Sequence, residues 1–345
     1  MSDILADLTA TLGPNTVIVG PQVGDKYSVD YTAENPRKPI AVVRPQSTEE
    51  LAGVMRLCSE ARQPVVVQGG LTGLSGGATP RPGEIAISLE RMTGIIEIDT
   101  SGMTLTAWAG TPLETIQDAA ESAGCSFPLD FGARGSCHIG GAIATNAGGN
   151  QVIRFGMARN LVLGLEAVLA DGTVVSSMSA MLKNNAGYDL KQLFIGTEGT
   201  LGIITRCVLR LFPRLAGRAS ALCALPSFAD AVALLDSARR GLAGSLSAFE
   251  LMWAPYYDYV VDHVDGVSSP FEQHHALYAL IEVEGTDAAQ ESARLEALLA
   301  DALEAGTIED AVLAQSEMQR EALWAIRDGI GEITRLLTPY ASLDV

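Results

Sequence analysis

Positive charge is scarce in this chain. Lys and Arg number 23 against 41 Asp and Glu, a formal charge of −18 over 345 residues. So acidic a surface repels nucleic acid and anionic lipid, so neither is an expected partner, and solubility is the plainest use of the charge. Long apolar runs are missing as well: no segment reaches the roughly 20 residues of a membrane span. The opening Met-Ser-Asp-Ile-Leu-Ala-Asp-Leu has neither a basic start nor the apolar stretch of a signal peptide, so a cytoplasmic protein without a membrane span is expected. Five cysteines, Cys58, Cys125, Cys137, Cys207 and Cys223, form no C-x-x-C pair and sit mostly among apolar neighbours. That argues against a disulfide framework or a zinc site and predicts reduced, mostly buried thiols. His263, His274 and His275 lie in a polar stretch without carboxylates at ligand spacing, so they are expected in surface loop and no metal site is expected. A strict G-x-G-x-x-G and a G-x-x-x-x-G-K-[ST] are both absent, which removes the two commonest nucleotide fingerprints.

Glycine is what the chain has in quantity, concentrated in Gln68-Gly-Gly-Leu-Thr-Gly-Leu-Ser-Gly-Gly77 and in the segment Pro128 to Gly149. Glycine admits positive φ and lets backbone approach a ligand with no Cβ between them, while successive N–H groups make an anion-binding concavity. Two such loops suit a ligand with a long, doubly clamped phosphate or dinucleotide body.

The first loop hangs from the end of a strand. Ile-Ala-Val-Val before Arg44-Pro45 reads as a strand, Ser47 with Glu50 as a capping box opening a helix, and Pro64 to Gln68 as the next strand. Short apolar segments follow at 85–89, 94–98 and 103–109, then a helix starting near Thr111-Pro112 with proline at its first position. Leu161 to Leu169, Asp171-Gly172 and Thr173-Val-Val read as a β-hairpin, and Ile203 to Phe212 as a long strand. After Pro213 to Arg218 the pattern changes: strands at 219–224, 247–251 and 276–283 alternate with helices near 227–240, 287–304 and 316–337. This predicts a separate α+β domain, an antiparallel sheet with helices on one face. The last residues, Tyr340 to Val345, read like the start of a further strand, so the chain is expected to be cut short at its C-terminus.

One catalytic pattern competes. Gly73-Leu-Ser-Gly-Gly77 is a G-x-S-x-G, with Ser75 as nucleophile, but that elbow must pass from a strand directly into a helix. Here loop residues precede it, and Pro80 and Pro82 follow, which opposes a helix.

Six motifs occur in order: Gln68-Gly-Gly-Leu-Thr-Gly73, Pro128-Leu-Asp-Phe-Gly132, Gly135-Ser-Cys-His-Ile-Gly-Gly141, Ala144-Thr-Asn-Ala-Gly-Gly149, Val162 to Gly172, and Gly187 to Thr205. Together they resemble the vanillyl-alcohol-oxidase-type FAD-linked oxidoreductases, and within them the D-2-hydroxyacid dehydrogenase branch of D-lactate, glycolate and D-2-hydroxyglutarate oxidising enzymes. The resemblance implies an α+β fold: an N-terminal extension (1–35), a PCMH-type FAD-binding domain of two α/β subdomains (36–214) and an incomplete α+β cap with an antiparallel sheet (215–345). It implies that Gly69, Gly70, Leu71, Thr72, Gly73 and Leu74 wrap the FAD pyrophosphate. Pro128, Leu129, Gly132, Ser136, Cys137, Gly140, Gly141, Ala144, Thr145, Gly148 and Gly149 line the rest, with Asn146 orienting the loop. Glu198, Gly202 and Ile204 fall at the adenosine end. Residues 67–79 contain no histidine to tether the flavin, so FAD is expected to be non-covalent.

For catalysis the resemblance offers Arg327, which holds the substrate carboxylate in bidentate fashion, and His138 beside the flavin. The base belongs, in this branch, with a histidine and glutamate metal cluster beyond the last residue here, so a divalent metal enters only with that further chain. Ser342 stands where 2-hydroxyglutarate-specific relatives carry lysine, which favours a monocarboxylate. The expected partner is a small 2-hydroxy acid; the electron acceptor is not legible, and a homodimer is compatible. The alternative reading is a non-catalytic FAD-binding electron-transfer subunit of a multisubunit oxidase.

Overall fold

A computed structural model describes residues 4–33 and 35–336. Ser342 and the strand expected from Tyr340 lie outside these residues. Helix α1 (Ile4–Leu12) packs on α2 (Thr48–Glu60) beside a sheet of β1 (Val17–Val19), β2 (Ala41–Val43), β3 (Val65–Gln68) and β4 (Ile85–Ser88). Its order is β1-β2-β4-β3, with β4 parallel to both neighbours and β1 antiparallel to β2. The helix α2 starts as expected: Ser47 Oγ accepts the Glu50 N–H at 3.2 Å. The returning half of the box is shifted, because the Glu50 carboxylate takes the N–H of Gln46 at 2.8 Å.

A second sheet is built from β5 (Ile95–Asp99), β6 (Thr104–Trp108), β8 (Val162–Val168), β9 (Val174–Ser177) and β10 (Ile203–Arg210) in the order β5-β6-β10-β8-β9, antiparallel throughout. The short β7 (Cys125–Ser126) pairs with β11 (Phe212–Pro213), so the segment expected as one strand to Phe212 breaks at Leu211. Helix α3 (Leu113–Ser122) begins after Pro112, whose ψ of 142° places it just outside the helix rather than at its first position. Three short helices, α4 (Ile139–Ala144), α5 (Val152–Phe155) and α6 (Ala158–Leu161), follow the second glycine loop. The hairpin is present with a loop wider than an Asp-Gly turn: Leu169 N–H reaches Thr173 O at 2.8 Å, and Gly172 takes φ +82°. One hydrophobic core, from Leu8 to Leu211, binds both sheets together.

The rest of the chain forms a four-stranded antiparallel sheet of β12 (Gly217–Leu225), β13 (Leu246–Trp253), β14 (Leu277–Gly285) and β15 (Asp310–Leu313), ordered β13-β14-β12-β15. Helices cover both of its faces, contrary to the one-face expectation. Ala221, Cys223, Leu225, Ala279 and Ile281 pack against α7 (Phe228–Leu242) and α9 (Ala288–Glu304). Leu222, Ala224, Tyr278 and Leu280 pack against α8 (Ala254–His263), α10 (Glu317–Asp328) and α11 (Ile330–Leu336). The strands themselves carry the reason: Ala-Leu-Cys-Ala-Leu and Leu-Tyr-Ala-Leu-Ile lack the polar alternation of a half-exposed sheet. The helix expected over 316–337 is two helices meeting at Gly329, where a Cβ would stand 2.6 Å from Val260 on α8.

Candidate functional site

Strand β3 ends on Gln68, which is fully buried, and delivers the first glycine loop to the surface. The chain turns sharply at Leu71, a non-glycine residue held at φ +58°. Such a conformation costs about 1–2 kcal/mol and persists only where surrounding structure imposes it. Among the described residues, the backbone N–H groups from Gly69 through Ala78 find no protein acceptor. A run of free amides on a tight loop is the geometry of an anion nest. Ser75 lies on this exposed, bent segment, with no helix after it, so the hydrolase elbow does not form.

The second loop lies directly against the first. At Gly70 a Cβ would stand 2.0 Å from Ser136 O and 2.8 Å from Cys137 Cα; at Gly69 it would stand 3.6 Å from His138 Cβ. The candidate glycines fall into two groups. Gly70, Gly140, Gly149 and Gly202 are required by neighbouring protein: Gly140 by Ala109 (2.6 Å), Gly149 by Asp130 O (2.4 Å) and Gly202 by the Phe194 ring (3.0 Å). Gly73, Gly132 and Gly141 face open space, with no atom within 4 Å of a would-be Cβ, and Gly148 meets only side chains. Pro128, Leu129 and Cys137 are buried, so they shape the wall, whereas Thr72, Leu74, Ser136, Ala144 and Thr145 are half-buried or exposed around the groove. Asn146, at φ +50°, accepts the Arg159 N–H at 3.0 Å and so fixes the turn after α4.

The third segment closes the arrangement. Glu198, again left-handed at φ +52°, donates its N–H to Ala144 O at 2.9 Å, at the end of α4. Its carboxylate reaches the first loop, where a Cβ on Gly77 would stand 2.7 Å from Glu198 Oε2. Ile204 is buried in β10, opposite Ala167, and offers only backbone. Three segments far apart in sequence thus meet at one place.

His138 lies against the first loop at Gly69, and Arg327 belongs to the cap. His138 precedes α4; burial disfavours its charged form and lowers its pKa, so the imidazole is neutral at neutral pH, with Nδ1 buried and without a partner among the described residues. Arg327 closes α10, its Nε on Glu250 at 2.8 Å and its Nη1 on Asp328 at 3.3 Å. Burial works against the guanidinium charge, but Glu250 and Asp328 outweigh it and raise the pKa above the ordinary value. Nη2 makes no hydrogen bond among the described residues. The Asp328 carboxyl is raised above its ordinary pKa, by burial first, against the opposing pull of Arg327; Asp130 and Arg134 of the second loop add smaller, opposing effects. A cleft of about 940 Å³ separates the halves, lined by Pro128, Asp130, Arg134 and Arg154 on one side and Arg218 and Glu284 on the other; Arg327 is not in its lining.

Known proteins share this architecture. The FAD binding domain family matches residues 39–177, and the C-terminal domain of FAD linked oxidases matches residues 215–344. The chain belongs to the FAD-linked oxidases. The D-2-hydroxyglutarate dehydrogenase of Arabidopsis thaliana, a mitochondrial protein by its name, is 38% identical over 93% of this chain and 57% of its own length. That of Xanthomonas citri pv. viticola is 40% identical over 92% of this chain and 66% of its own length. The chain therefore spans about three fifths of the relatives it matches. Among solved structures, alkyldihydroxyacetonephosphate synthase superposes with a TM-score of 0.79 at 17% identity, over 98% of this chain and 66% of that one, a likeness of fold.

FAD fits the groove of this FAD-linked oxidase. The free amides of residues 69–78 match a pyrophosphate, and the open-faced Gly73, Gly132 and Gly141 leave room where any Cβ would intrude. Two positions were illegible in sequence: Gln68 and Glu250 act through contacts across the fold. Of the cap histidines, His274 is exposed in loop as expected, and the other two depart from that expectation. His263 ends α8, and the His275 side chain is largely buried, with Nδ1 2.7 Å from Glu309.

Proposed function

We propose that this chain carries the FAD-binding and part of the substrate-binding apparatus of a D-2-hydroxy-acid dehydrogenase, with D-2-hydroxyglutarate as the first substrate to test. The convergence of the two glycine loops with Glu198 supports the reading most directly. Bound FAD supplies the acceptor for the hydride on the substrate's Cα. The amides of the first loop hold the pyrophosphate, and the wall of Pro128, Leu129 and Gly132 limits where the flavin end can lie. Arg327, its charge favoured by Glu250 and Asp328, offers Nη2, which makes no hydrogen bond among the described residues, to the substrate carboxylate. His138, its pKa lowered by partial burial, serves as an uncharged hydrogen-bonding group next to the loops.

An absorption spectrum between 350 and 500 nm tests this. The purified chain, supplied with FAD, turns yellow, and D-2-hydroxyglutarate, D-lactate or glycolate bleaches it without oxygen. A colourless protein overturns the reading; bound flavin that none of the acids bleaches favours the electron-transfer subunit instead.

A further inference from the structure

The segment Asp25 to Thr32 lies outside the FAD-binding match that begins at residue 39, and its sequence gives it no role. In the fold it grips the first glycine loop at both ends. Gln68 Nε2 donates to Tyr27 O and to Ala78 O, both at 2.9 Å, so one buried amide ties the strand end, the N-terminal segment and the far end of the loop. Two carbonyl partners fix the amide's orientation, since its oxygen could not take either place. One residue past Ala78, Thr79 Oγ accepts the Asp30 N–H at 3.3 Å. The segment is anchored in turn: Lys26 Nζ and Tyr27 OH meet Glu90 at 2.7 and 2.6 Å, and Arg44 joins the same carboxylate at 3.3 Å. Gln68, Ser28 and Asp30 are each at least nine-tenths buried.

We infer that residues 25–32 are a brace that holds the loop from Gly69 to Ala78 open for FAD, with Gln68 as the positioning residue. The inference rests on the FAD reading above. An unbraced loop of this glycine content samples many conformations, and a ligand must then select the few in which the free amides converge. Because the brace and the ligand favour the same loop conformation, binding FAD also tightens the brace.

The test uses the full chain and FAD itself. Gln68→Leu keeps the size of the side chain and removes both donors, so the dissociation constant for FAD, read by quenching of flavin fluorescence, rises about tenfold or more. Thr79→Val, a milder change at a half-buried site, raises it about threefold and keeps the question open to test should Gln68→Leu fold poorly. In the wild type, FAD slows tryptic cleavage after Lys26 and Arg37, and Gln68→Leu loses this protection while cleavage at the exposed Lys183 is unaffected by FAD in both. Wild-type affinity in folded variants, or cleavage after Lys26 indifferent to FAD, overturns the brace and leaves the FAD reading standing. A wild type that takes up no FAD overturns both.

Discussion

Gly70 and Ser136 meet backbone to backbone: a Cβ on Gly70 would stand 2.0 Å from the Ser136 carbonyl oxygen. The contact joins the two glycine loops, and neither chain can yield without reshaping the groove. Gly73, three residues on, faces open space. The two glycines look alike in sequence and do different work. One permits two segments of protein to touch, and the other leaves room for a ligand.

Gly70→Ala is therefore expected to lower the stability of the protein, by about 2–3 kcal/mol, because a methyl group is forced into backbone that cannot move aside. Gly73→Ala should leave the unfolding free energy within about 0.5 kcal/mol of wild type and weaken FAD binding. Urea unfolding and a flavin titration of the two variants separate the roles. If Gly73→Ala destabilises as much as Gly70→Ala, the division of the glycines is wrong.

Much of this was readable beforehand, and what was not has a common cause. Both glycine loops, the hairpin around Gly172 and the cap strands follow from local spacing and turn chemistry. Gln68 could be read only as the last residue of a strand, because its partners Tyr27 and Ala78 come from 41 and 10 residues away. Glu250 likewise gains its role from Arg327, 77 residues on. The second layer of helices on the cap sheet was missed for another reason. The unbroken apolar runs of β12 and β14 leave both faces of the sheet in need of cover, which strand spacing alone does not reveal.

Arg327 and Glu250 allow a direct test of the proposed substrate anchor. Arg327→Lys keeps the charge and loses the planar fork, so kcat/KM for a D-2-hydroxy acid should fall by roughly 10²-fold with FAD still bound. Glu250→Gln leaves the guanidinium in place but frees it to turn, and should raise KM more than it lowers kcat. Steady-state kinetics on flavin-loaded protein decides. Unchanged kcat/KM in Arg327→Lys would remove this residue from the substrate site.

Acid stability should depend on a residue far from the groove. Glu166, buried on β8, accepts from Arg206 Nε at 2.8 Å and also from Arg206 Nη2, and takes the hydroxyls of Thr48 at 2.7 Å and Thr205 at 2.8 Å. Burial alone would raise the pKa of this carboxyl; the arginine and the two hydroxyls reverse that and lower it from 4.5 to about 2. A carboxyl that holds its proton less tightly when folded stabilises the fold fully above its unfolded pKa near 4.5. That contribution drains away as the pH falls toward 2, about 3 kcal/mol in all at the linkage value for a shift of this size. Since Thr48 opens α2 and Arg206 lies on β10, its loss loosens the join between α2 and the second sheet. Glu166→Gln removes the titrating group, so the variant is less stable than wild type at pH 7 and the gap between them narrows as the pH drops from 4.5 toward 2. Urea midpoints at pH 7, 4 and 3 measure it, and a gap that stays constant across that range would show that Glu166 is not the group responsible.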